Sequence, residues 1–298
     1  MVDRRDFLKV TAGAAAGLAL AETMGPLASP SRPDLAVATG PSPAKITRAA
    51  VEALGGMKAF VAKGDVVVVK PNIGWDRTPE QAANTNPEVV AAVVAMCFEA
   101  GAKTVKVFDR ACNDPRRTYA QSGIDAAATA AGAVVTYINE SKFRETPIPG
   151  GVAIQSWPLY ADVLEADKVI NVPIAKHHSL GKLTLSFKNW MGVMGGNRGR
   201  IHQNLDEALV DLALVIKPRL VVLDAVRILT ANGPQGGSLK DVKRLDTVVA
   251  GTDQVAIDSY GATLFGMVGS ELGYVAAGHR RGIGHMNINK LAIQQIKA

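Results

Sequence analysis

The sequence predicts a doubly wound α/β domain, a mostly parallel sheet with helices on both faces. Three observations carry that expectation. Strand-length runs of Val, Ile and Leu alternate with Ala-rich stretches of helical period from residue 44 onward. Most of the strand runs are continuous in their apolar character, as strands buried on both faces are. The 298 residues, 48% hydrophobic and 20% charged, suffice for a sizeable core and exclude a disordered chain or a coiled coil.

In chain order, residues 1–21 read as an address. Asp3-Arg4-Arg5-Asp6-Phe7-Leu8-Lys9 precedes a mild apolar run over 10–21 that ends in Ala19-Leu20-Ala21, a small-x-small cleavage site. This order resembles the twin-arginine export signal, which implies the twin-arginine translocation machinery as a partner and a periplasmic or secreted location. The alternative is an ordinary amphipathic N-terminal helix. The run has 12 residues where a membrane span needs roughly 20, so no stable span is expected after cleavage. Substrates of the resembled pathway cross folded, commonly because a cofactor is already inserted.

Residues 22–43 contain Pro26, Pro30, Pro33, Pro41 and Pro43 among small residues and read as a flexible tether. A single domain follows over 44–298. Strands are expected over 66–70, 104–109, 134–138, 168–174, 219–224 and 247–251. Helices are expected over 45–62, 118–131, 205–216, 254–265 and 289–296. The clearest helix has Asn86 as its cap, Pro87 in its first turn, an apolar body over 89–100 and Gly101 as its stop.

Ligands of open α/β sheets bind beyond the carboxyl ends of the strands. Those ends carry Lys70 with Asn72, Asp109 with Arg110, Lys176-His177-His178, Asp224, and Asp253, although Asp253 is equally placed to cap the next helix. The 176–202 stretch concentrates charge, with Lys176, Lys182, Lys188, Arg198 and Arg200, three histidines and no acidic residue. Its Gly192, Gly195, Gly196 and Gly199 would let backbone N–H groups approach a ligand. The plain alternative, a solvated basic loop, fits poorly with the interleaved Trp190, Met191, Val193 and Met194.

That segment accounts for the net charge of +6. Cleavage of 1–21 leaves +5, the segment supplies +5, and the remainder is neutral. One anionic small molecule is therefore the expected partner, and nucleic acid is not. His177 and His178 are adjacent and point apart, so a shared metal would fall to His178 and His202. ATPase, dinucleotide, zincin and serine-hydrolase fingerprints are missing. Two cysteines, Cys97 and Cys112, cannot ligate a self-contained iron–sulfur cluster. Cys97 reads as packing and Cys112 as a thiol of conceivable reactivity, with a disulfide between them as the alternative.

The residues from Val67 through Lys70-Pro71-Asn72, Thr85 to Val90, Pro173 to His177, Leu183 to Asn189, Asn232-Gly233-Pro234 with Gly236, and Ala250 to Asp258 resemble domain-of-unknown-function family 362 over roughly 45–285. Many relatives carry a cysteine-rich cluster segment that this chain lacks. A fainter resemblance links His178, Lys188 and His202 to the nickel-dependent lactate racemases. It implies Lys188 as the tether of a nickel pincer nucleotide and His178 as a proton-transfer residue.

The leading expectation is an exported enzyme of undefined reaction with His178, His202 and Lys188 as catalytic groups. Lys70, Asn72, Lys176, His177, Lys182, Asn189, Arg198, Arg200, Asp224 and Asp253 would line the ligand. A metal or nucleotide-derived cofactor is the class considered. The rival is a non-catalytic periplasmic anion-binding or cofactor-delivery protein.

Overall fold

The apolar runs assemble into one ten-stranded, mostly parallel sheet in a computed structural model that describes residues 32–298. The export signal over 1–21 and the 22–31 part of the tether lie outside the described residues. The chain begins β1 (Leu35–Thr39), α1 (Pro43–Ala53), β2 (Val66–Pro71), α2 (Pro87–Glu99), β3 (Thr104–Val107), α3 (Pro115–Gln121), α4 (Ile124–Ala130) and β4 (Val134–Val135). A side hairpin of β5 (Phe143–Pro147) and β6 (Ser156–Tyr160) follows, then α5 (Ala161–Glu165). The remainder is β7 (Lys168–Val172), β8 (Ile174–His178), β9 (Lys182–Thr184), α6 (Ser186–Asn189), α7 (Leu205–Val215), β10 (Leu220–Leu229), β11 (Val242–Gly251), α8 (Gln254–Thr263), α9 (Gly273–Arg280) and β12 (Ile293–Lys297).

The strand order is β12-β1-β11-β10-β7-β2-β3-β4, with β8 paired to the far half of β10 and to β9. Strands β10, β7, β2, β3 and β4 are parallel. Each sheet face carries its own apolar core. One holds Val51, Val67, Val69, Val93 and Ile170 beneath α1, α2 and α4. The other holds Val68, Phe187, Trp190, Leu209, Leu223 and Ile257 beneath α6 to α9. Each such side chain contributes about 1.5–3 kcal/mol on burial, so helices on both faces are required by the sheet's two apolar surfaces.

Several expected boundaries move. The tether does not extend to residue 43, because Leu35–Thr39 is a buried strand between β11 and β12. Its prolines mark a helix start: Pro43 opens α1, where a missing N–H is harmless, and the Ser42 hydroxyl accepts from Lys45 N at 3.4 Å. The expected C-terminal helix is replaced by β12, whose short segment gains more by closing the free edge of β1 than by local helix formation. Gly123, at φ +70°, divides the expected 118–131 helix into α3 and α4. Pro173, without an N–H to give the ladder, separates β7 from β8. The 134–138 strand shortens to Val134–Val135.

Candidate active site

Three parallel strands deliver side chains to one end of the sheet, where they meet the segment that follows β9. Alternation along β8 puts Lys176 and His178 on one face and His177 on the other. Thr184 stands directly opposite Lys176 on β9 and joins that face. His177 instead accepts from Gly233 N at 3.0 Å, away from the cavity. Lys182, in the left-handed region at φ +57°, turns outward to donate to the Glu271 carbonyl at 2.8 Å.

Helix α6 brings in Lys188 and Asn189. Its first N–H groups are held by Asp258 of α8, whose carboxylate accepts from Ser186 N at 2.8 Å and Phe187 N at 3.0 Å. Burial pushes this carboxyl up to about 8 despite both bonds. The resulting cavity, about 390 Å³, is lined by Asn72, Trp75, Asp109, Arg110, Cys112, Lys176, His178, Thr184, Lys188, Met191, Arg198 and His202, with others at its margin.

Lys70 lies behind the wall and is fully committed. Its ammonium donates to the Pro71 carbonyl at 2.8 Å and Asn189 Oδ1 at 3.1 Å, and it pairs with Asp109 at 2.7 Å. No donor is left for a ligand. Burial lowers this amine from its usual range and the Asp109 charge opposes the fall. Asn189 is equally committed, accepting from Lys70 and Asn72 and donating to the Lys70 carbonyl and Asn171 Oδ1. Both residues lock β2, β7 and α6 together. Arg198 gives four N–H contacts to the carbonyls of Arg110, Met191 and Ala111 and to Cys112 Sγ, clamping two loops while contributing its charge.

The groups still able to serve a ligand are fewer. Lys176 donates to Asn72 Oδ1 at 3.0 Å and the Ala83 carbonyl at 2.5 Å, leaving one N–H. His178 Nδ1 accepts from Leu180 N at 3.1 Å and Gly181 N at 3.2 Å, so the ring proton sits on Nε2 and remains available. His202 Nδ1 lies 2.9 Å from the Gly199 carbonyl and donates to it, leaving Nε2 as an acceptor 3.2 Å from Lys188 Nζ. The two imidazoles stack at 5.7 Å.

Burial, reinforced by neighbouring positive charge, sets the protonation states. It pushes Lys176 and Lys188 down to about 7 and His178 down to about 3, and it lowers His202. The cavity thus combines two half-charged amines with two neutral imidazoles. Among the described residues its one carboxylate, Asp109, is occupied by Lys70, Ile73 N and Arg110 N.

This donor set does not fit a metal ion. Among the described residues no three His, Cys, Asp or Glu side chains converge. The two imidazoles expected to share a metal have their lone pairs already engaged by backbone N–H groups and by Lys188. Cys97 and Cys112 are both free thiols. Burial pushes Cys97 up to about 12, whereas Cys112 is exposed at the cavity margin.

A family model described as a domain of unknown function (DUF362) matches residues 67–263. The chain belongs to the DUF362 family. Residues 1–21 of this DUF362 protein match the TAT (twin-arginine translocation) pathway signal sequence, so the twin-arginine machinery handles its export and it is periplasmic or secreted. Among the described residues no helix is long and apolar enough to cross a membrane. The chain is 29% identical over 219 residues to the thylakoid-associated protein sll1697 of Synechocystis sp., covering 71% of this chain and 66% of that protein. Among solved structures it is similar to the lactate racemase apoprotein from Thermoanaerobacterium thermosaccharolyticum, with TM-score 0.40, 13% identity, and coverage of 74% of this chain and 54% of that one. A Thermotoga maritima protein gives TM-score 0.41 at 10% identity, covering 70% and 56%. These likenesses are too distant to bear on the site.

The remaining expected site residues of the DUF362 chain lie elsewhere. Asp224 is buried inside β10, where its carboxylate accepts from Asn86 N at 2.7 Å and Val226 N at 2.9 Å. It fixes the start of α2 and does not line the cavity. Asp253 caps α8 at the opposite end of the sheet, because β11 runs antiparallel to β10. Arg200 lines a separate small recess with Trp157 and Ile201. Gly192 serves packing: a Cβ there would overlap Asp109 and sit 2.5 Å from Lys70 Nζ. Trp75, Thr184 and Met191 line the cavity although none was expected as a site residue; the period-2 pairing of β8 with β9 is the signal that would have found Thr184.

Proposed function

We propose that this protein is an exported enzyme that binds one small organic anion with an apolar portion and moves a proton on it. The carrying observation is the imbalance inside the cavity. Lys176, Lys188, the His178 Nε2–H and the charge of Arg198 face a space whose single carboxylate is already neutralised. An anion there gains charge-assisted hydrogen bonds and relieves the repulsion between Lys176 and Lys188. Trp75 and Met191 on the walls suit an apolar segment. His202, with its acceptor nitrogen toward Lys188, supplies the proton relay.

Calorimetric titration of the signal-free protein with pyruvate, succinate and inorganic phosphate tests the reading. Saturable binding of a carboxylate is expected, weakened about tenfold by Lys176→Met, which corresponds to ~1.4 kcal/mol. No saturable heat with any of the three, or an unchanged affinity in the variant, overturns it. Deuterium entering bound pyruvate from solvent, read by NMR, separates an enzyme from a carrier. A nucleotide-sized adduct on Lys188 in protein purified from its own compartment would replace this reading by the cofactor one.

A further inference from the structure

The three buried lysines at this end of the sheet have different surroundings. Lys70 is paired with a carboxylate and two other oxygens. Lys176 is held by two amide oxygens, which occupy two of its three N–H groups. Lys188 has neither. Its amine lies 2.8 Å from Met191 Sδ and 3.2 Å from the basic nitrogen of His202, and among the described residues no carboxylate pairs with it. Its side chain is 6% exposed, at the wall of the cavity.

We infer that the Lys188 amine is a nucleophile that condenses with the carbonyl carbon of a 2-oxo acid to form an imine in the cavity. This rests on the anion-binding reading above and names its substrate class. A carboxylate one carbon from the carbonyl needs fixed donors beside the amine. Lys176 retains one N–H, and the residues His178 and Thr184, 7% and 3% exposed, present an Nε2–H and a hydroxyl to the same wall with no partner among the described residues. These donors open onto the cavity, where a ligand can pair with them.

The chemistry balances without an oxidant or reductant. The Lys188 lone pair adds to the carbonyl carbon, and the carbonyl oxygen becomes a hydroxyl by taking up a proton. His202 Nε2 carries both protons that the nitrogen sheds, one at a time, the first to the carbonyl oxygen and the second to the departing hydroxyl, so the C–O bond breaks, one water leaves and neutral C=N forms. Burial assists by holding the amine at about 7, so about half of it is neutral at pH 7; an ordinary lysine at 10.5 is neutral in roughly one part in 3,000.

Reductive trapping is the test. The signal-free protein is incubated with pyruvate and sodium cyanoborohydride at pH 7, digested and mapped by mass spectrometry. One carboxyethyl group is expected on Lys188, at least tenfold above any other lysine, and acetone without a carboxylate should label far less. Lys188→Arg should lose the label. If that variant fails to fold, the peptide map of the unaltered protein decides alone. Pyruvate that binds in the calorimeter but labels Lys188 no more than surface lysines overturns the imine and leaves the anion reading standing. Failure of both binding and labelling overturns both.

Discussion

Lys70 and Asp109 form a pair that is almost entirely buried, with 0% and 3% side-chain exposure. The cost of desolvating both charges makes such a pair a weak source of net stability, but losing one member strands the other. Asp109→Ala should destabilise the protein by about 3–5 kcal/mol in urea unfolding, and Lys70→Met combined with Asp109→Leu should recover most of that loss. A recovered double variant with intact anion affinity would confirm that Lys70 builds the wall and does not touch the ligand. Lys70 was readable from sequence as a functional-looking residue at a strand end, but its role was not. Its three acceptors come from Pro71, Asn189 and Asp109, up to 119 residues away, and side-chain chemistry alone cannot show which donors are already spent.

Among the elements, α6 is four residues long, too short to hold itself, and depends on Asp258. Asp258→Ala leaves two buried N–H groups without an acceptor, at about 1–3 kcal/mol each. It should also weaken anion binding several-fold, although Asp258 lies outside the cavity, because Lys188 and Asn189 ride on that turn. Asp253→Ala offers the contrast. It removes the α8 cap for about 1 kcal/mol and should leave anion affinity unchanged in calorimetry. The difference follows from strand direction. Continuous apolar runs made the parallel β2, β3 and β7 legible with Asn86-Pro87 marking α2, but a run of Val and Ala says nothing about whether its strand is parallel. The antiparallel course of β11 therefore carried Asp253 away from the rim where its sequence position suggested it belonged. β1 and β12 were missed for a related reason: each is defined by the other across more than 250 residues, and neither has a local signal strong enough to outweigh its prolines or its helix-forming residues.

For the whole molecule, the buried ionisable groups set a pH dependence opposite to ordinary alkaline decline. Asp258 and Asp224, raised to about 8 and about 6, keep protons that the unfolded chain has released, so their effect is a loss of stability as pH rises from about 4 to those values. His178, lowered to about 3, works against them up to its ordinary value of 6.5. Above 7 the lysines dominate. Lys176 and Lys188, lowered to about 7, have shed protons that the unfolded chain binds until its own value of 10.5, so stability rises with pH across that window. The unliganded protein should therefore show a local minimum near pH 7 and gain about 4 kcal/mol, roughly 8–16 °C in Tm, by pH 9.5 in thermal unfolding. Lys176→Met should flatten the rise by removing one of its two sources. A bound carboxylate should flatten it as well, by holding the amines' positive charge in the folded state and raising stability most at pH 7, where the empty cavity is most strained. A Tm that falls steadily from pH 7 to 9.5, with or without pyruvate, would mean that these amines carry their ordinary charge in the folded protein, and that the cavity lacks the electrostatic deficit on which anion binding depends.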